Sequence, residues 1–349
     1  MLSIYAKYVI GGDNYQCLVG PRAQTLRGYL NAVNDLFERR MIALPIDLTD
    51  KTHPVTVILS NLEREEDVAR QRAPLTPEMY AELLAMARQP GASEEIKLLA
   101  RWATLAKILG PRPCEWCQKT QSKVEYHEYP SGKRVVKAFT RLDFEFFDRH
   151  GNKITTFTDE TRLIVAKVRV RWKIQKNRQN GQKVTVVKNI ECDDLCPTLA
   201  AWDIYVQSLK IGQAADMPMA ATWDAKKNKV KYMTATRVAE ILRKIAKKVH
   251  PNMTKEDLMR FSAHTFRVWA CVLLDEAGQK PAFIQKRLRW LGDSYKIYLR
   301  DTQAINEQHR DALEKASKKV QELLAQNLAT LPEDCEIDTN MGEYIDFED

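Results

Sequence analysis

The sequence predicts a mainly helical protein with a small β-hairpin or sheet, which is an α+β fold. Apolar residues recur at helical spacing in several long segments, and only the stretch around residues 168–190 carries a strong hairpin signal. The chain has 349 residues, which is enough for two domains with sizeable cores. We therefore expect helices to form most of the structure.

The N-terminal part is predicted to be a small helical domain that ends in a charged linker. Residues 23–40 form an amphipathic pattern, whose apolar face comprises Leu26, Tyr29, Leu30, Val33, Leu36 and Phe37. The polar positions of this segment include Arg22, Arg27, Arg39 and Arg40. Residues 63–72 are charged and nearly devoid of large apolar side chains. We therefore assign residues 1–72 to one domain and residues 73–330 to a second.

The second domain begins with helices whose ends are marked in the sequence. Thr76 caps a helix that has Pro77 at its first position. Ser93 caps another, which runs to Leu109 and is ended by Gly110-Pro111. Arg112 and Glu115 follow directly in Ile108-Leu-Gly-Pro-Arg-Pro-Cys-Glu115. An arginine is thus expected just beyond the end of a core helix.

The hairpin signal consists of two alternating segments around a preferred turn pair. The first segment places Val168, Val170, Trp172 and Ile174 on one face, alternating with Arg169, Arg171, Lys173 and Gln175. Asn180-Gly181 favours a type I′ turn, and Lys183 to Ile190 is the predicted return strand. Lys176 lies beside this turn, although strand parity would put it on the apolar face unless the strand twists or bulges near its end.

The segment Phe261-Ser-Ala-His-Thr-Phe-Arg267 is predicted to bind an anion. Ser262 can cap a helix that runs to about Glu276 and stops at Gly278, which puts His264 and Arg267 one turn apart on one face. Free helix N–H groups and the positive end of the helix dipole lie beside them. Trp290, Tyr295 and Tyr298 follow in Arg289-Trp-Leu-Gly-Asp-Ser-Tyr-Lys-Ile-Tyr298, so a nucleophile could follow the phosphate-binding pair.

A helix-turn-helix is a different interpretation of the same region. Residues 262–277 would form its first helix and residues 281–291 its second, with Lys286, Arg287 and Arg289 entering the major groove of DNA. The protein would then be a non-catalytic DNA-binding regulator, or a domesticated enzyme that has lost its activity. Covalent trapping on DNA would separate these classes.

The C-terminal end combines an amphipathic helix with an acidic tail. Residues 311–329 carry an apolar stripe made of Leu313, Ala316, Val320, Leu323, Leu324 and Leu328. Residues 331–349 hold eight acids and no Lys or Arg, and we expect this tail to be disordered. The whole chain has 54 basic and 46 acidic residues, so the rest carries 54 against 38 and a net charge of +16. Such a charge suits a polyanion and predicts salt-dependent binding of nucleic acid.

The seven cysteines are predicted to be reduced and structural. The start Met1-Leu-Ser-Ile-Tyr-Ala-Lys lacks a signal-peptide core, and no stretch approaches 18 apolar residues, so we expect an intracellular protein without a membrane partner. An odd number of cysteines in such a chain favours free thiols. A zinc site made of Cys114, Cys117, Cys192 and Cys196 is a less favoured alternative, because such spacings often arise by chance.

Six residues, taken together and in this order, resemble the catalytic set of the tyrosine recombinase (phage integrase) family: Arg112, Lys176, His264, Arg267, Trp290 and Tyr298. Cys196-Pro197 resembles the helix start that follows the hairpin in recombinases of eukaryotic mobile elements, the crypton-like branch. Two features depart from the family pattern. Prolines flank Arg112 on both sides, and Trp290 precedes Tyr298 by eight residues where the bacterial and phage pattern usually has nine.

The resemblance implies a helical core-binding domain at residues 1–72, a tyrosine recombinase catalytic domain, and site-specific cutting and rejoining of DNA without ATP, metal or cofactor. Tyr298 would form a 3′-phosphotyrosine, with Tyr295 as the alternative nucleophile. Arg112 and Arg267 would hold the non-bridging oxygens, and His264 and Trp290 would add hydrogen bonds or steric positioning. A lysine would protonate the leaving 5′-oxygen: Lys176, with Lys173 and Lys183 as runners-up. Glu115 would be a structural partner of nearby Arg or His side chains.

The same resemblance implies the partners. Double-stranded DNA would be contacted by the basic residues of the first domain and of the hairpin, which are Arg22, Arg27, Arg39, Arg40, Arg169, Arg171 and Lys173. The helix at residues 311–329 would dock on a neighbouring subunit and build a homo-tetramer on DNA, although it could instead fold back on its own domain. The protein would act in the nucleus of a eukaryote, or in the nucleoid or cytoplasm of a prokaryote.

Overall fold

The computed structural model describes residues 22–43, 46–65, 71–175, 180–188, 195–299, 318 and 320–325. The chain forms two compact units, Met1–Arg70 and Gln71–Asp349. The described part is about half helical and holds small antiparallel sheets, so the predicted α+β fold class is confirmed. No helix in these ranges combines the length and the apolar character that a membrane crossing requires.

Two helices, α1 (Ala23–Arg39) and α2 (Pro54–Glu65), form most of the described part of the first unit. Their shared core consists of Ala23, Leu26, Leu30, Ile46, Val55 and Leu59. The Asn34 amide donates to the Ile46 carbonyl over 2.7 Å and ties α1 to the segment that precedes α2. Arg27 of α1 forms an ion pair with Glu63 of α2, at 3.1 Å.

The buried face of α1 is narrower than the sequence predicted. Tyr29 is 60% exposed and Leu36 is 48% exposed, whereas the polar Asn34 is buried. Packing against one neighbouring helix, α2, covers a stripe at positions 23, 26, 30 and 34 and leaves the flanks of the predicted face in solvent. Three of the arginines assigned to DNA contacts are exposed at the ends of this helix: Arg22, Arg39 and Arg40.

The second unit is built around one central helix. Its helices are α3 (Pro77–Arg88), α4 (Glu94–Leu109), α5 (Asp159–Ile164), α6 (Pro197–Lys210), α7 (Ala235–Val249), α8 (Lys255–Leu258), α9 (Thr265–Glu276) and α10 (Pro281–Leu288). Helix α4 packs against α3, α6 and α9, and ten of its 16 residues are buried. Its sequence-predicted ends are present, because Ser93 Oγ accepts from the Ile96 amide and Gly110 adopts a left-handed φ of 50°. The backbone just after α4 is therefore anchored in the core.

A four-stranded antiparallel sheet covers one side of the helices. Its strands are β3 (Phe144–Asp148), β4 (Lys153–Ile154), β5 (Val165–Arg171) and β6 (Lys183–Val187), in the order β4-β3-β5-β6. Two separate hairpins pair β1 (Tyr126–Glu128) with β2 (Arg134–Val136) and β7 (Ala221–Asp224) with β8 (Lys229–Tyr232). The sheet meets α6 through Phe146, whose ring centroid lies 5.1 Å from that of Trp202.

The central hairpin is present, but its predicted two-residue turn is wrong. Strand β5 ends at Arg171, which pairs with Lys183 of β6. The Trp172 amide donates to the Gln182 carbonyl and the Gly181 amide donates to the Trp172 carbonyl. Asn180-Gly181 is therefore not a two-residue loop between paired strands, and Asn180 Oδ1 accepts from the Gln175 amide at 2.6 Å. Lys176 lies outside the described residues.

The C-terminal stripe is partly buried within its own chain. Residues 318 and 320–325 are helical where described. Val320 and Leu324 belong to the main core of the second unit. Docking on a neighbouring subunit is therefore not required to bury the described part of this helix, and the fold-back arrangement is the one observed. The acidic tail, residues 331–349, lies outside the described residues.

Replacing Gly110 with alanine is expected to destabilise the second unit by about 2–4 kcal/mol. An alanine at this position would have to adopt a positive φ. Its Cβ would lie 2.7 Å from Leu288 Cδ2 and 3.3 Å from Ala270 Cβ. Gly212→Ala is the matched control, because Gly212 has a φ of 69° but nothing within 4 Å of its added Cβ. Urea unfolding measures both changes. Equal losses would show that the close approach of Leu288 has no energetic weight.

Candidate active site

His264 and Tyr298 meet in a direct hydrogen bond. His264 holds the N-cap position of α9, and Tyr298 ends the 3-10 helix Asp293–Tyr298. Nε2 of the histidine lies 2.8 Å from the tyrosine Oη, although the two residues are 34 positions apart. Helix α9 begins at Thr265 rather than directly after Ser262, whose Oγ instead accepts from the His264 amide. Folding thus brings a titratable base to the predicted nucleophile.

Arg267 lies beneath this pair and is 2% exposed. Its Nη1 donates to the Gly110 carbonyl at 2.6 Å and its Nη2 donates to the Leu288 carbonyl at 3.1 Å. The guanidinium also stacks on Trp290, 4.2 Å from the ring centroid. Burial and the charge of Arg112 lower the pKa of Arg267 to about 10, so it remains charged at neutral pH. Two carbonyl bonds use two of its five N–H donors.

Arg112 lies just after α4 and is oriented by Glu115. Its Nη1 donates to Glu115 Oε1 at 3.1 Å, and its backbone amide donates to Oε2 at 2.6 Å. Pro113–Glu115 forms a 3-10 turn, so the flanking prolines fit a compact turn that closes on the carboxylate. Glu115 is buried, whereas the Arg112 side chain is partly exposed. The carboxylate therefore contacts the arginine as a structural partner would.

Arg289 is part of the same cluster, although no sequence pattern predicted it as a site residue. Its Nη2 lies 3.3 Å from Glu115 Oε2, and its Nη1 donates to the Leu109 carbonyl at 3.0 Å. The residue is 1% exposed, has a left-handed φ of 62° and places its guanidinium over Trp172. Its position directly before Trp290 is the one signal in the sequence that points to the site. Its basic neighbours Lys286 and Arg287 indicate only the basic face of a DNA-binding helix.

The protonation states of the pair follow from burial and the nearby arginines. Burial lowers the pKa of His264 to about 4, and the charges of Arg267, Arg72 and Arg112 act in the same direction. Burial raises the pKa of Tyr298 above its usual value, while Arg267 and Arg112 oppose that rise. At neutral pH the histidine is thus neutral and the tyrosine protonated. We assign the hydroxyl as the donor and His264 Nε2 as the acceptor, with the histidine proton on Nδ1.

Tyr295, the alternative nucleophile, occupies a different environment. It is 2% exposed and packs in an apolar cluster with Ala270, Ile284 and Leu288. Tyr298 is partly exposed and lies next to His264, with its ring centroid 5.7 Å from that of Trp290. A nucleophile must reach its substrate, so the geometry favours Tyr298.

The two runner-up lysines are held in structural contacts. Lys173 Nζ forms an ion pair with the buried Asp143 at 2.8 Å and donates to the Ala138 carbonyl at 2.9 Å, with only 12% of its side chain exposed. Lys183 pairs with Glu145 on the outer face of the sheet, at 3.4 Å. The Lys173 ammonium, which was predicted to contact DNA, is instead engaged by Asp143 and Ala138, because strand β5 ends at Arg171 and the alternation of basic side chains ends with it. Gln175 turns inward in the same way and is buried.

Two of the predicted DNA-contacting residues of the hairpin, Arg169 and Arg171, remain partly exposed on strand β5. Their side chains are 38% and 44% exposed, and they approach Glu145 and Asp143 respectively. Helices α9 and α10 correspond to the two helices of the helix-turn-helix interpretation, which were predicted at residues 262–277 and 281–291. Arg289 is buried, and Arg287 donates to the Thr185 carbonyl of β6 at 3.3 Å, so neither side chain is free to enter a groove.

Among the described cysteines, Cys114, Cys117 and Cys271 are free thiols. Cys117 and Cys196 are buried, and burial raises the pKa of the Cys117 thiol well above its usual value. Among the described residues, no group of three or more His, Cys, Asp or Glu side chains could hold a metal ion. Cys192 of the alternative zinc site lies outside the described residues.

The stability of the protein is expected to fall as the pH drops from 6.5 to 4. His264 in the folded state resists protonation until about pH 4, whereas in the unfolded chain it gains a proton near pH 6.5. In that window the unfolded state binds more protons, so acid favours unfolding, by up to roughly 3 kcal/mol from this residue. His264→Gln should lose less stability than the wild type across the window, as measured by urea unfolding at pH 7, 6, 5 and 4.5. Parallel losses would contradict the buried, neutral histidine.

The comparisons with known proteins leave the family open. A scan against protein-family models found no match, and a search of curated proteins found none either. Among solved structures, the chain is similar to the Tn1549 transposon integrase in complex with transposon right end DNA, with a TM-score of 0.41 and 12% sequence identity. The superposition covers 80% of this chain and 75% of that chain.

Proposed function

We propose that the protein is a tyrosine recombinase that cuts and rejoins DNA through Tyr298. The observation that carries the proposal is the 2.8 Å contact between Tyr298 and the neutral His264, next to the charged Arg112 and Arg267. A phenol that is next to a base and inside a positive field is equipped to attack a phosphodiester. The order of the six family-like residues in the sequence supports the same conclusion.

The reaction begins when Tyr298 Oη attacks the phosphorus in line. The phenol proton passes to His264 Nε2, the new bond joins the tyrosine oxygen to the 3′-phosphate, and the bond to the 5′-oxygen breaks. The pentacovalent transition state carries more negative charge than the diester, so Arg112 and Arg267 stabilise it more than the ground state. The leaving 5′-oxygen takes a proton from Lys176. We choose this lysine because the two other candidates, Lys173 and Lys183, form ion pairs with Asp143 and Glu145. A 5′-hydroxyl then reverses these steps on another strand, and neither ATP nor a metal is consumed.

A trapping experiment tests this function even though the target site is unknown. Nicked duplexes of randomised sequence are incubated with the protein in EDTA, and the DNA that remains attached after denaturation and is released by protease is sequenced. We expect a 3′-linked adduct on a defined sequence. A duplex built on that sequence then serves as substrate for kinetics. If no adduct forms, the recombinase proposal is wrong, and the alternative of a DNA-binding protein without activity stands.

Binding of duplex DNA is expected to weaken steeply with salt. The chain without its acidic tail carries a net charge of +16, and contacts to phosphates release counterions. Between 50 and 200 mM salt we expect affinity to fall by roughly 10³-fold or more, measured by fluorescence anisotropy. Replacing the exposed Arg39 and Arg40 of the proposed core-binding domain with alanine should reduce the salt slope by about two. A flat dependence would contradict phosphate-based binding.

The proposed active assembly is a homo-tetramer on two DNA sites, as the resemblance to the tyrosine recombinase family implies, and Cys196-Pro197 resembles the helix start of the eukaryotic mobile-element branch. Helix α6 begins at Pro197 with Cys196 as its N-cap, which is the helix start on which that resemblance rests. Because Val320 and Leu324 are buried in their own chain, exchange of the C-terminal helix would require its release from this core. Light scattering of the protein–DNA complex measures the assembly, and a mass of one chain per site without pairing of sites would contradict it.

A further inference from the structure

Arg289 occupies a backbone conformation that is costly for any residue except glycine. Its φ of 62° and ψ of 50° place it in the left-handed region at the C-terminus of α10. Glycine adopts this conformation without cost, whereas a residue with a Cβ is strained in it. Burial adds a second cost, because desolvation lowers the pKa of Arg289 to about 9. The contacts of its side chain must offset both costs.

Those contacts lead to Arg112 through one carboxylate. Arg289 Nη2 lies 3.3 Å from Glu115 Oε2, and the same oxygen accepts from the Arg112 backbone amide at 2.6 Å. The other oxygen, Oε1, accepts from Arg112 Nη1 at 3.1 Å. Arg289 also donates to the Leu109 carbonyl, one residue before the Gly110 carbonyl that Arg267 binds. Two arginines thus hold the backbone that precedes Arg112.

We infer that Arg289 is a positioning residue that lets Glu115 orient Arg112 without cancelling its charge. A lone carboxylate paired with Arg112 would fix the guanidinium but neutralise it, and a neutral pair would attract a phosphate only weakly. With Arg289 on the other side of the carboxylate, two positive charges share one negative charge. Arg112 then keeps both its orientation and a net attraction for the scissile phosphate. This inference rests on the proposed function, since Arg112 must contact that phosphate.

The planar guanidinium of Arg289 is necessary for this role. It bonds to Glu115 and to Leu109 in two directions while its face covers the Trp172 ring, 3.2 Å from the centroid. A lysine has one ammonium group and cannot reproduce this fork and stack. Arg289→Lys therefore keeps a charge but loses the geometry. Arg289→Gly removes the guanidinium and at the same time relieves the backbone.

The test compares adduct formation on two substrates with the site recovered by trapping. One carries an ordinary phosphodiester at the scissile position and the other a methylphosphonate, which is uncharged and depends less on Arg112. Arg289→Lys and Arg289→Gly should each slow the single-turnover rate on the diester by about tenfold or more, and clearly less on the methylphosphonate. In an Arg112→Ala background, Arg289→Lys should cause no further slowing, because its effect passes through Arg112.

Arg162→Lys is the matched control. Arg162 forms a buried ion pair with Asp203 at 3.1 Å, away from these residues, so its replacement should lower stability and leave the rate per folded molecule unchanged on both substrates. The inference would be overturned, while the proposed function stood, if Arg289→Lys slowed the reaction equally on both substrates. Full activity of Arg289→Gly would overturn it as well. So would a loss for Arg289→Lys that adds to the loss caused by Arg112→Ala. If the wild type forms no adduct, the proposed function fails and the inference fails with it.

Discussion

Replacing Tyr298 with phenylalanine is expected to abolish the covalent adduct while leaving DNA binding within about twofold of the wild type. The change removes one oxygen atom, which is the atom that lies 2.8 Å from His264 Nε2. The aromatic ring remains able to pack against Trp290, so the loss reports on chemistry rather than folding. Denaturing gels measure the adduct, and anisotropy on the same duplex measures binding.

Tyr295→Phe is the matched control for this change. Tyr295 lies only three residues away but is buried in an apolar cluster, so its replacement should leave adduct formation on the same duplex close to that of the wild type. If Tyr295→Phe abolished the adduct and Tyr298→Phe did not, the nucleophile would be Tyr295, and the hydrogen bond with His264 would have another purpose.

Replacing Arg267 with lysine is expected to slow adduct formation by at least about a hundredfold at saturating DNA. Lysine retains the charge, but it cannot donate to the Gly110 and Leu288 carbonyls and also present planar donors to a phosphate. We expect a loss of stability of about 2–4 kcal/mol as well, because two buried carbonyls lose a charged donor. Rates must therefore be measured below the unfolding transition and scaled to the folded fraction.

Arg243→Lys controls for the loss of a carbonyl contact outside the cluster. Arg243 Nε donates to the Phe261 carbonyl at 3.2 Å, so this variant also breaks a bond between an arginine and the backbone. It should lose some stability and keep its adduct rate. If the two variants slowed the reaction equally per folded molecule, Arg267 would be a structural residue only.

Local signals in the sequence were sufficient for most helix ends of the second unit. Ser93, Thr76 and the Cys196-Pro197 pair start helices where predicted, because caps act on the neighbouring backbone alone. The hairpin shows where such signals fail. Asn180-Gly181 favours a two-residue hairpin loop, but the strands stop pairing at Arg171 and Lys183, and the Asn180 side chain binds the Gln175 amide. Local preference was overridden by a contact that turn chemistry does not encode.

The candidate site was predictable in its residue types but not in its charge balance. The order of Arg112, His264, Arg267 and Tyr298 pointed to one site, and folding brings Tyr298 to His264 and places Arg267 beneath them. The burial of Lys173 and Arg289 could not be foreseen, because it depends on Asp143 and Glu115, which approach from distant segments. Ion pairs between residues that are distant in the sequence produce no periodic pattern from which they could be predicted.

The carbonyls at the end of α4 have a consequence for the synthesis of the protein. Arg267 binds the Gly110 carbonyl across 157 residues of chain, and Arg289 binds the Leu109 carbonyl across 180 residues. These two carbonyls therefore lack their arginine donors until nearly the whole domain has left the ribosome. Until then Glu115 has Arg112 alone as its cation from this cluster, and His264 and Tyr298 are missing. A growing or prematurely ended chain can thus carry much of the basic surface, yet it lacks the assembled site that we propose cuts DNA. The proposed site is completed last, by the same contacts that close the core.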